Sequence, residues 1–480
     1  MKHSLIVLLL IASTHLNVFA QDVRLKFSDK GTFKIAQFTD LHWSHKSPDY
    51  AKTVQLMRYI LDTEKPDVAI LTGDIVTDSP ARDAWDVIAG VFLDAKTPWG
   101  ITLGNHDSET DLSKSRIFDY LKNKPYFIGE KGPDEIHGNG NYVLPVSGSG
   151  NKIAALLYCF DSNHYPPVKK YGNYDCIHYD QIEWYRKQSE SFTIQNSGIP
   201  LPALAFFHIP LTEYRNVIDR STTIGNRGRF VASSDVNSGL LSSFLDKKDV
   251  MGTFVGHDHS NDYIGVEHDI ALAYGRTTGV DASGRLEKGA RIIQLYENKF
   301  KFDTWIRTQN GIEFEYHFPS SFLPQDEKPV SYLPAKKTSF SRQGVSYSYY
   351  EGRYKTTDEI EKDKPEKQGI INNISIENHA VQDSFAYVFK TWIRIPETGM
   401  YNFYTFSDDG SKLFIDGQVV VDNDGSHSAR RADGKIALEE GFHELKLLYL
   451  ENYMGQVLEV GFSSSEIRES VLPDHMLFIE

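Results

Sequence analysis

The residues able to do chemistry in this chain sit where short apolar runs end. Asp40 and His42 close "FKIAQFTDLH", Asp74 follows "DVAILTG", and Asn105, His106 and Asp107 follow "PWGITLG". His208 ends "ALAFFH", and His257 and His259 follow "MGTFVG". Carboxylate, amide and imidazole donors without a thiolate suit Zn, Mn or Fe rather than a structural cysteine site. Asp40 and His42 are two residues apart, so on an extended chain both project to one side. A pair of ions about 3.5–4 Å apart can clamp the attacking and leaving oxygens of a phosphoryl displacement, which calls for a bridging carboxylate; Asp74 is the candidate. Two such ions against Asp40 and Asp74 leave a net positive pocket that attracts a phosphate, because local charges dominate over a screened surface. Any one of these signatures is common by chance. All of them in this order, each after an apolar run, are not.

The elements that must position these side chains are legible as an alternation. From residue 33 to about 303, nearly continuous apolar runs read as strands buried on both faces. Between them, residues 50–61, 81–93 and 111–121 carry apolar side chains at helical spacing. Strands alternating with helices predict a layered α/β domain, and in open α/β sheets ligands bind beyond the carboxyl ends of strands. Later runs, "ALAYGRT", "ARIIQLYE" and "KFKFDTWI", are expected to complete a second sheet. Residues 318–344 read as a polar, proline-containing linker. From 345 to 480 helical periodicity gives way to short alternating strands separated by "PETG", "SDDG", "IDGQ" and "DNDG", the pattern of a β-sandwich.

Asp-x-His, Gly-Asp, Gly-Asn-His-Asp, His and Gly-His-x-His together resemble the calcineurin-like metallophosphoesterase pattern. The likeness spans residues 33 to 305. It implies a four-layer α-β-β-α sandwich of two sheets flanked by helices, followed here by the all-β sandwich. It also implies ligand sets: Asp40, His42 and His259 for one ion, Asn105, His208 and His257 for the other, and Asp74 for both. The context "DVNSGLLSSF", "GHDHSNDYIG" and "YGRTTG" resembles the purple-acid-phosphatase-like branch. Purple members carry a tyrosine ligand three residues after the bridging aspartate, and this chain has Thr77 there. The Fe(III)–tyrosinate colour is therefore expected to be absent, and a redox-inert pair or an Mn/Fe mixture fits as well. The expected reaction is attack on phosphorus by a metal-bridging hydroxide, with His106 donating a proton to the leaving oxygen or stabilising the developing charge, and Asp107 orienting and charge-stabilising that imidazole. The expected activity is phosphomonoesterase; a phosphodiesterase, or a cell-surface glycan-binding protein with a vestigial phosphoesterase domain, are the alternatives.

The segment "YNFYTFSDDGSKLFIDGQVVVDNDG", with "YSYYEGRY" before it and "LLYLENYMGQVLEVGF" after it, resembles the β-sandwich module named for anthrax protective antigen. Such modules bind carbohydrate in many cases and Ca²⁺ in some. Asp408 and Asp409 occupy the position for Ca²⁺, with Asn452 a distant partner, and hard oxygen donors suit that ion. A tight turn capped by acids is the plain alternative.

Composition bounds the partners. The chain has 480 residues, 51 Lys and Arg against 65 Asp and Glu, and a net charge of −14. Such a chain is a poor general binder of nucleic acid or anionic membranes. Lys2 and His3, the apolar stretch 5–12 and the ending "VFAQ" predict a signal peptide cleaved after Ala20, hence a periplasmic, cell-surface or secreted protein. No later segment is apolar enough to span a bilayer. Cys159 and Cys176 are the only cysteines, and a disulfide or two free thiols are both open. Asn261 and Asp262 could shape the pocket edge or simply form a turn. Arg227 could contact a phosphate or stay solvated, and Tyr174, His178 and His164 belong to a polar loop that could line the site.

Overall fold

A computed structural model describes residues 24–480 apart from 221, 320–330, 338–339, 466 and 468. The expected signal peptide and much of the expected linker lie outside the described residues.

Two six-stranded sheets form the N-terminal domain. The first joins β1 (Thr32–Phe38), β2 (Val68–Thr72) and β3 (Trp99–Thr102) in parallel. The second contains β4 (Tyr142–Ser147), β5 (Ile153–Cys159), β6 (Ala203–Phe206), β7 (Val250–Val255), β8 (Ile264–Glu267) and β9 (Ile270–Tyr274), in the order β4-β5-β6-β7-β9-β8. The chain then returns to the first sheet through β10 (Gly289–Tyr296), β11 (Phe302–Thr308) and β12 (Gly311–Phe318), giving β12-β11-β10-β1-β2-β3. Of the late runs expected to build a second sheet, only "ALAYGRT" does so. β10 pairs antiparallel onto β1, and β11 onto β10, because that edge of the first sheet is open to them.

β2, β3, β6, β7 and β9 are buried on both faces, which accounts for their continuous apolar runs. One core cluster joins Phe33, Ile35, Ile70 and Ile292 of the first sheet to Leu157, Phe206, Met251 and Phe254 of the second. The outer face of the first sheet is covered by α1 (Tyr50–Glu64) and α2 (Ala81–Ala95), which bury Met57, Ile60, Trp85, Ile88 and Phe92. The outer face of the second is covered by α4 (Tyr179–Gln195) and α6 (Leu240–Lys247), through Ile182, Tyr185, Leu240 and Phe244, while α3 (Lys114–Leu121) and α5 (Tyr214–Val217) fill the connections. The layer order is α-β-β-α, as the resemblance implied. α3 begins three residues later than the periodicity suggests. Asp111 instead turns its carboxylate to the first N–H of α2, accepting from Ala81 at 2.7 Å, and so serves the start of a different helix.

The C-terminal region is a β-sandwich. An eight-stranded sheet containing Phe385–Ile395 and Gly441–Glu451 packs against a four-stranded sheet containing Gly399–Asp408 and Val457–Ser464. Tyr387, Phe389, Leu447, Tyr401, Phe403 and Phe462 fill the space between them. The described part of the connecting segment is attached to this sandwich: Leu333 donates to Ala437 and Lys336 to Phe442, each at 2.9 Å.

Candidate metal centre

The carboxyl ends of β1, β2, β3, β6 and β7 meet at one edge of the two-sheet sandwich, and each delivers its polar residues there. Asp40 and His42 leave β1, Asp74 leaves β2, Asn105 to Asp107 leave β3, His208 leaves β6, and His257 and His259 leave β7. The backbone has to turn sharply to do this. Asp40, His42, Asp74 and His257 all have positive φ, between 43° and 78°. Such conformations are sparsely populated for residues with a Cβ and collect at functional sites. Gly73, at φ 82°, lies so close to His208 that a Cβ there would fall 2.4 Å from Nδ1 of that ring.

The side chains form two groups that share one carboxylate. In the first, Nε2 of His42 lies 3.1 Å from Nε2 of His259, and His259 Nε2 lies 3.4 Å from Asp40 Oδ1. In the second, His257 Nδ1 lies 3.2 Å from His208 Nε2, and His208 Nε2 lies 3.1 Å from Asp74 Oδ2. The same Asp74 oxygen lies 3.8 Å from His42 Nε2, so it faces both groups. Ligand-type atoms crowded this closely are what a cation organises.

Outer contacts hold the candidate ligand atoms in place. Nδ1 of His208 is 2.8 Å from the carbonyl of Thr72. A carbonyl only accepts, so that nitrogen carries the proton and Nε2 faces Asp74. Nδ1 of His259 meets Ser283 Oγ at 2.8 Å. Thr39 Oγ1 donates to Asp40 Oδ2 at 2.8 Å, and the backbone N–H of His106 donates to Asp74 Oδ1, also at 2.8 Å. Burial opposes charge on Asp74, yet His208 holds its carboxyl far below the ordinary range. Burial likewise opposes charge on His208, and Asp74 then Asp40 carry it up to about 9. Burial and the neighbouring His208 press His257 down to about 3.

Two buried atoms bear directly on whether this chemistry fits metal ions. Asn105 Oδ1 and His257 Nε2 have no hydrogen-bond partner among the described residues. A buried polar atom left unpaired costs about 1–3 kcal/mol. A bare amide oxygen in the residue before His106, whose own N–H reaches Asp74, fits a cation.

Asp107 does not do what its position in the motif suggested. Its carboxylate is buried and never meets the ring of His106. Oδ2 accepts from the N–H groups of Asp74 at 2.9 Å and Gly104 at 2.7 Å, and Oδ1 from those of Ile75 at 2.8 Å and Val76 at 3.1 Å. It ties the loop after β2 to the loop after β3. The expectation that it orients His106 is corrected for that reason: both oxygens are occupied by backbone donors. The group on His106 is Glu109, whose Oε2 lies 2.7 Å from Nδ1. Sequence reasoning passed over Glu109; its signal was an acid three residues after a histidine in a short loop, the spacing of one turn.

The remaining candidates separate cleanly. Tyr174 reaches the site, its ring edge-on to His257 at 4.3 Å between centroids. His164 instead packs on Tyr165, and His178 pairs with Asp175 at 3.1 Å while stacking on His137. Arg227 donates to the carbonyls of Ile218 and Arg220 and thereby holds its own loop. Asn261 accepts from the N–H of Gly228, and Asp262 is buried against Arg276 at 2.6 Å. Both thiols are free, Cys159 buried and Cys176 partly so. In the C-terminal sandwich Asp408, Asp409 and Glu451 lie together. Asp409 accepts from the N–H of His427 at 2.7 Å and of Asn452 at 2.8 Å, whereas the side chain of Asn452 is engaged by Tyr354 and Ser426.

Comparison with known proteins meets this geometry. The family model described as calcineurin-like phosphoesterase matches residues 33–261, and that described as PA14 domain matches residues 341–473. "Probable inactive purple acid phosphatase 29" of Arabidopsis thaliana is 31% identical over 320 residues, which is 60% of this chain and 82% of that protein. "Probable inactive purple acid phosphatase 28" of the same plant is 31% identical over 332 residues, 61% of this chain and 83% of that protein. "Phosphatase DCR2" of Saccharomyces cerevisiae is 29% identical over 334 residues, 62% of this chain and 57% of that protein. The chain belongs to the calcineurin-like phosphoesterase family, is related to the purple acid phosphatases, and carries a C-terminal PA14 β-sandwich of the anthrax-protective-antigen type.

Proposed function

We propose that this chain is an exported, active phosphohydrolase that depends on two metal ions and cleaves phosphate monoesters. The observation that carries the reading is the shared Asp74 oxygen, 3.1 Å from His208 and 3.8 Å from His42, between two otherwise separate ligand groups. Asp40, His42 and His259 would hold one ion, Asn105, His208 and His257 the other, and Asp74 both. Once bound, ions of this kind acidify a water molecule and neutralise phosphoryl charge. The protein's own residues do the rest. The imidazoles and Asp74 fix where the phosphate oxygens can sit. His106, with 39% of its side chain exposed, stands at the rim where a leaving group departs and can give it a proton from Nε2.

Two plant relatives are named probable inactive and a yeast relative is named a phosphatase. What favours activity here is that every ligand type of the motif is present in the sequence and that its carboxylates and imidazoles lie together, with the acid-capable His106 beside them. The test is hydrolysis of p-nitrophenyl phosphate against bis-p-nitrophenyl phosphate by metal-quantified protein, with Mn, Zn or Fe. Faster turnover of the monoester supports the reading. Full metal occupancy with neither substrate cleaved removes it, and the vestigial-domain reading takes its place.

The C-terminal sandwich is read as an accessory that binds glycan, with Ca²⁺ held by Asp408 and Asp409. The proximity of Glu451 supports an oxygen-rich cation site. Ca²⁺-dependent retention on immobilised sugars, lost in Asp408→Ala, is expected; Ca²⁺-independent retention or none would discard it. Export rests on the N-terminal stretch, and among the described residues no helix is long and apolar enough to cross a membrane.

A further inference from the structure

The rim of the metal centre contains an arrangement that the motif does not include. Glu109 closes a turn with His106, its N–H donating to the His106 carbonyl at 3.0 Å. That turn brings Oε2 of Glu109 to 2.7 Å from Nδ1 of His106. The second oxygen is also engaged: the hydroxyl of Tyr165 donates to Oε1 at 3.1 Å. Tyr165 stacks on Tyr174, with centroids 6.4 Å apart, and Tyr174 packs on the candidate ligand His257. The carboxylate is therefore pinned on both oxygens, and through two tyrosines it is tied to the opposite wall of the site. An isolated ion pair this exposed contributes little to stability. One fixed from both sides, next to the only imidazole of the cluster that no ligand set uses, has a different use.

We propose that Glu109, braced by Tyr165, is the positioning residue of His106. It accepts the Nδ1 proton, so Nε2 is the nitrogen presented to the leaving group. As the phosphorus–oxygen bond breaks, its electron pair goes to the leaving oxygen, and the Nε2 proton moves to that oxygen. The imidazole ends neutral, with its remaining proton on Nδ1 against Glu109. The proposal rests on the phosphohydrolase reading above and adds a substrate consequence: the pair matters for alcohol leaving groups, which need a proton, and hardly at all for acidic phenols, which do not.

The experiment uses the full chain loaded with Zn²⁺ and compares wild type, E109A, E109Q, Y165F, H106A and the E109A/H106A double variant. Substrates are benzyl phosphate and 2,4-dinitrophenyl phosphate. E109A is expected to lower kcat for benzyl phosphate about 10- to 100-fold, with KM and metal content unchanged. The dinitrophenyl ester should slow less than about 3-fold, since its leaving group needs no acid. E109Q, still able to accept from Nδ1, should recover part of the loss, Y165F should show a smaller version of it, and adding E109A to H106A should cost nothing further. A readout independent of turnover is the ¹⁵N spectrum of labelled histidines, with His106 assigned by its disappearance in H106A. Its neutral ring should carry the proton on Nδ1 in wild type and shift toward Nε2 in E109A. Equal losses on both esters, additivity with H106A, or an unchanged tautomer would overturn the role of Glu109 and leave the phosphohydrolase reading standing. A metal-loaded wild type that cleaves neither ester overturns both.

Discussion

Replacing Asp107 with Asn separates a scaffolding carboxylate from a catalytic one. The change is nearly isosteric, so its cost lies in hydrogen bonding. Each oxygen of Asp107 accepts two backbone N–H groups, those of Asp74 and Gly104 on one and of Ile75 and Val76 on the other. In Asn one oxygen becomes an NH₂, and two buried N–H groups then face a donor. At about 1–3 kcal/mol for each buried group left unsatisfied, the loss is about 2–6 kcal/mol. For a domain of this size each kcal/mol moves the melting temperature by about 2–4 °C. The loss also falls where it hurts binding, because four of the backbone hydrogen bonds that fix the loops carrying Asp74 and Asn105 end on this carboxylate. The assay is thermal unfolding followed by tryptophan fluorescence at pH 7.5, alongside metal analysis of the same samples. D107N should melt lower and hold less metal, with activity falling in step with metal content. If D107N keeps the wild-type melting temperature and both metals while losing turnover as H106A does, the scaffold assignment is wrong and Asp107 acts on His106 after all.

Three further outcomes follow from the same geometry. His106→Ala should leave melting and metal content unchanged while lowering turnover of an alkyl phosphate about 10²- to 10⁴-fold; metal lost together with activity would make His106 a ligand. Gly104→Ala should empty the site, because a Cβ there would lie 2.2 Å from Asp74 Oδ1 and 2.6 Å from its backbone nitrogen, which Asp107 keeps from moving; metal analysis at the wild-type level would refute this. Glu64 joins the end of α1 to the first sheet through Arg307 at 2.6 Å, Trp305 at 3.1 Å and Lys34 at 3.2 Å. Burial opposes its charge, but Trp305, Arg307 and Lys34 hold its carboxyl below the ordinary value of 4.5. A carboxyl lowered in the folded state stabilises above its unfolded pKa and loses that contribution as the pH falls through the folded one. Glu64→Gln should therefore lower the melting temperature at pH 7 by the equivalent of about 1–3 kcal/mol and by much less near pH 3; an equal effect at both would contradict the assignment.

The layers and the candidate ligand positions were legible because both come from strongly patterned segments. Strands buried on two faces read as unbroken apolar runs, and the polar residues that stop each run are the ones the sheet presents at its edge. The three strands the pattern did not reveal in this domain, β4, β8 and β12, are all at sheet edges. There one side has no partner strand, so sequences as irregular as "YVLPVS", with Pro145, and "GIEFEYHF" are tolerated. The return of β10 and β11 to the first sheet was hidden for another reason: strand order is fixed by long-range pairing, and spacing along the chain says nothing about which sheet has a free side. Asp107 was misread because a motif gives residue types and not directions. Its neighbour Asn105 keeps a buried amide oxygen without a hydrogen-bond partner among the described residues, while Asp107, two residues on, turns back into the loops. Glu109 and Tyr165 lie 56 residues apart and meet only in three dimensions.

The central claim is that seven side chains from five strand ends hold two ions on one shared carboxylate. The most direct test is metal stoichiometry of purified wild type and Asp74→Asn, measured after exhaustive chelation and reloading, with p-nitrophenyl phosphate turnover read on the same protein. Two ions per wild-type chain, activity that vanishes on chelation and returns on reloading, and loss of both from Asp74→Asn are the expected results. A chelated enzyme that remains fully active, or an Asp74→Asn variant that still binds two ions and turns over normally, would contradict the account.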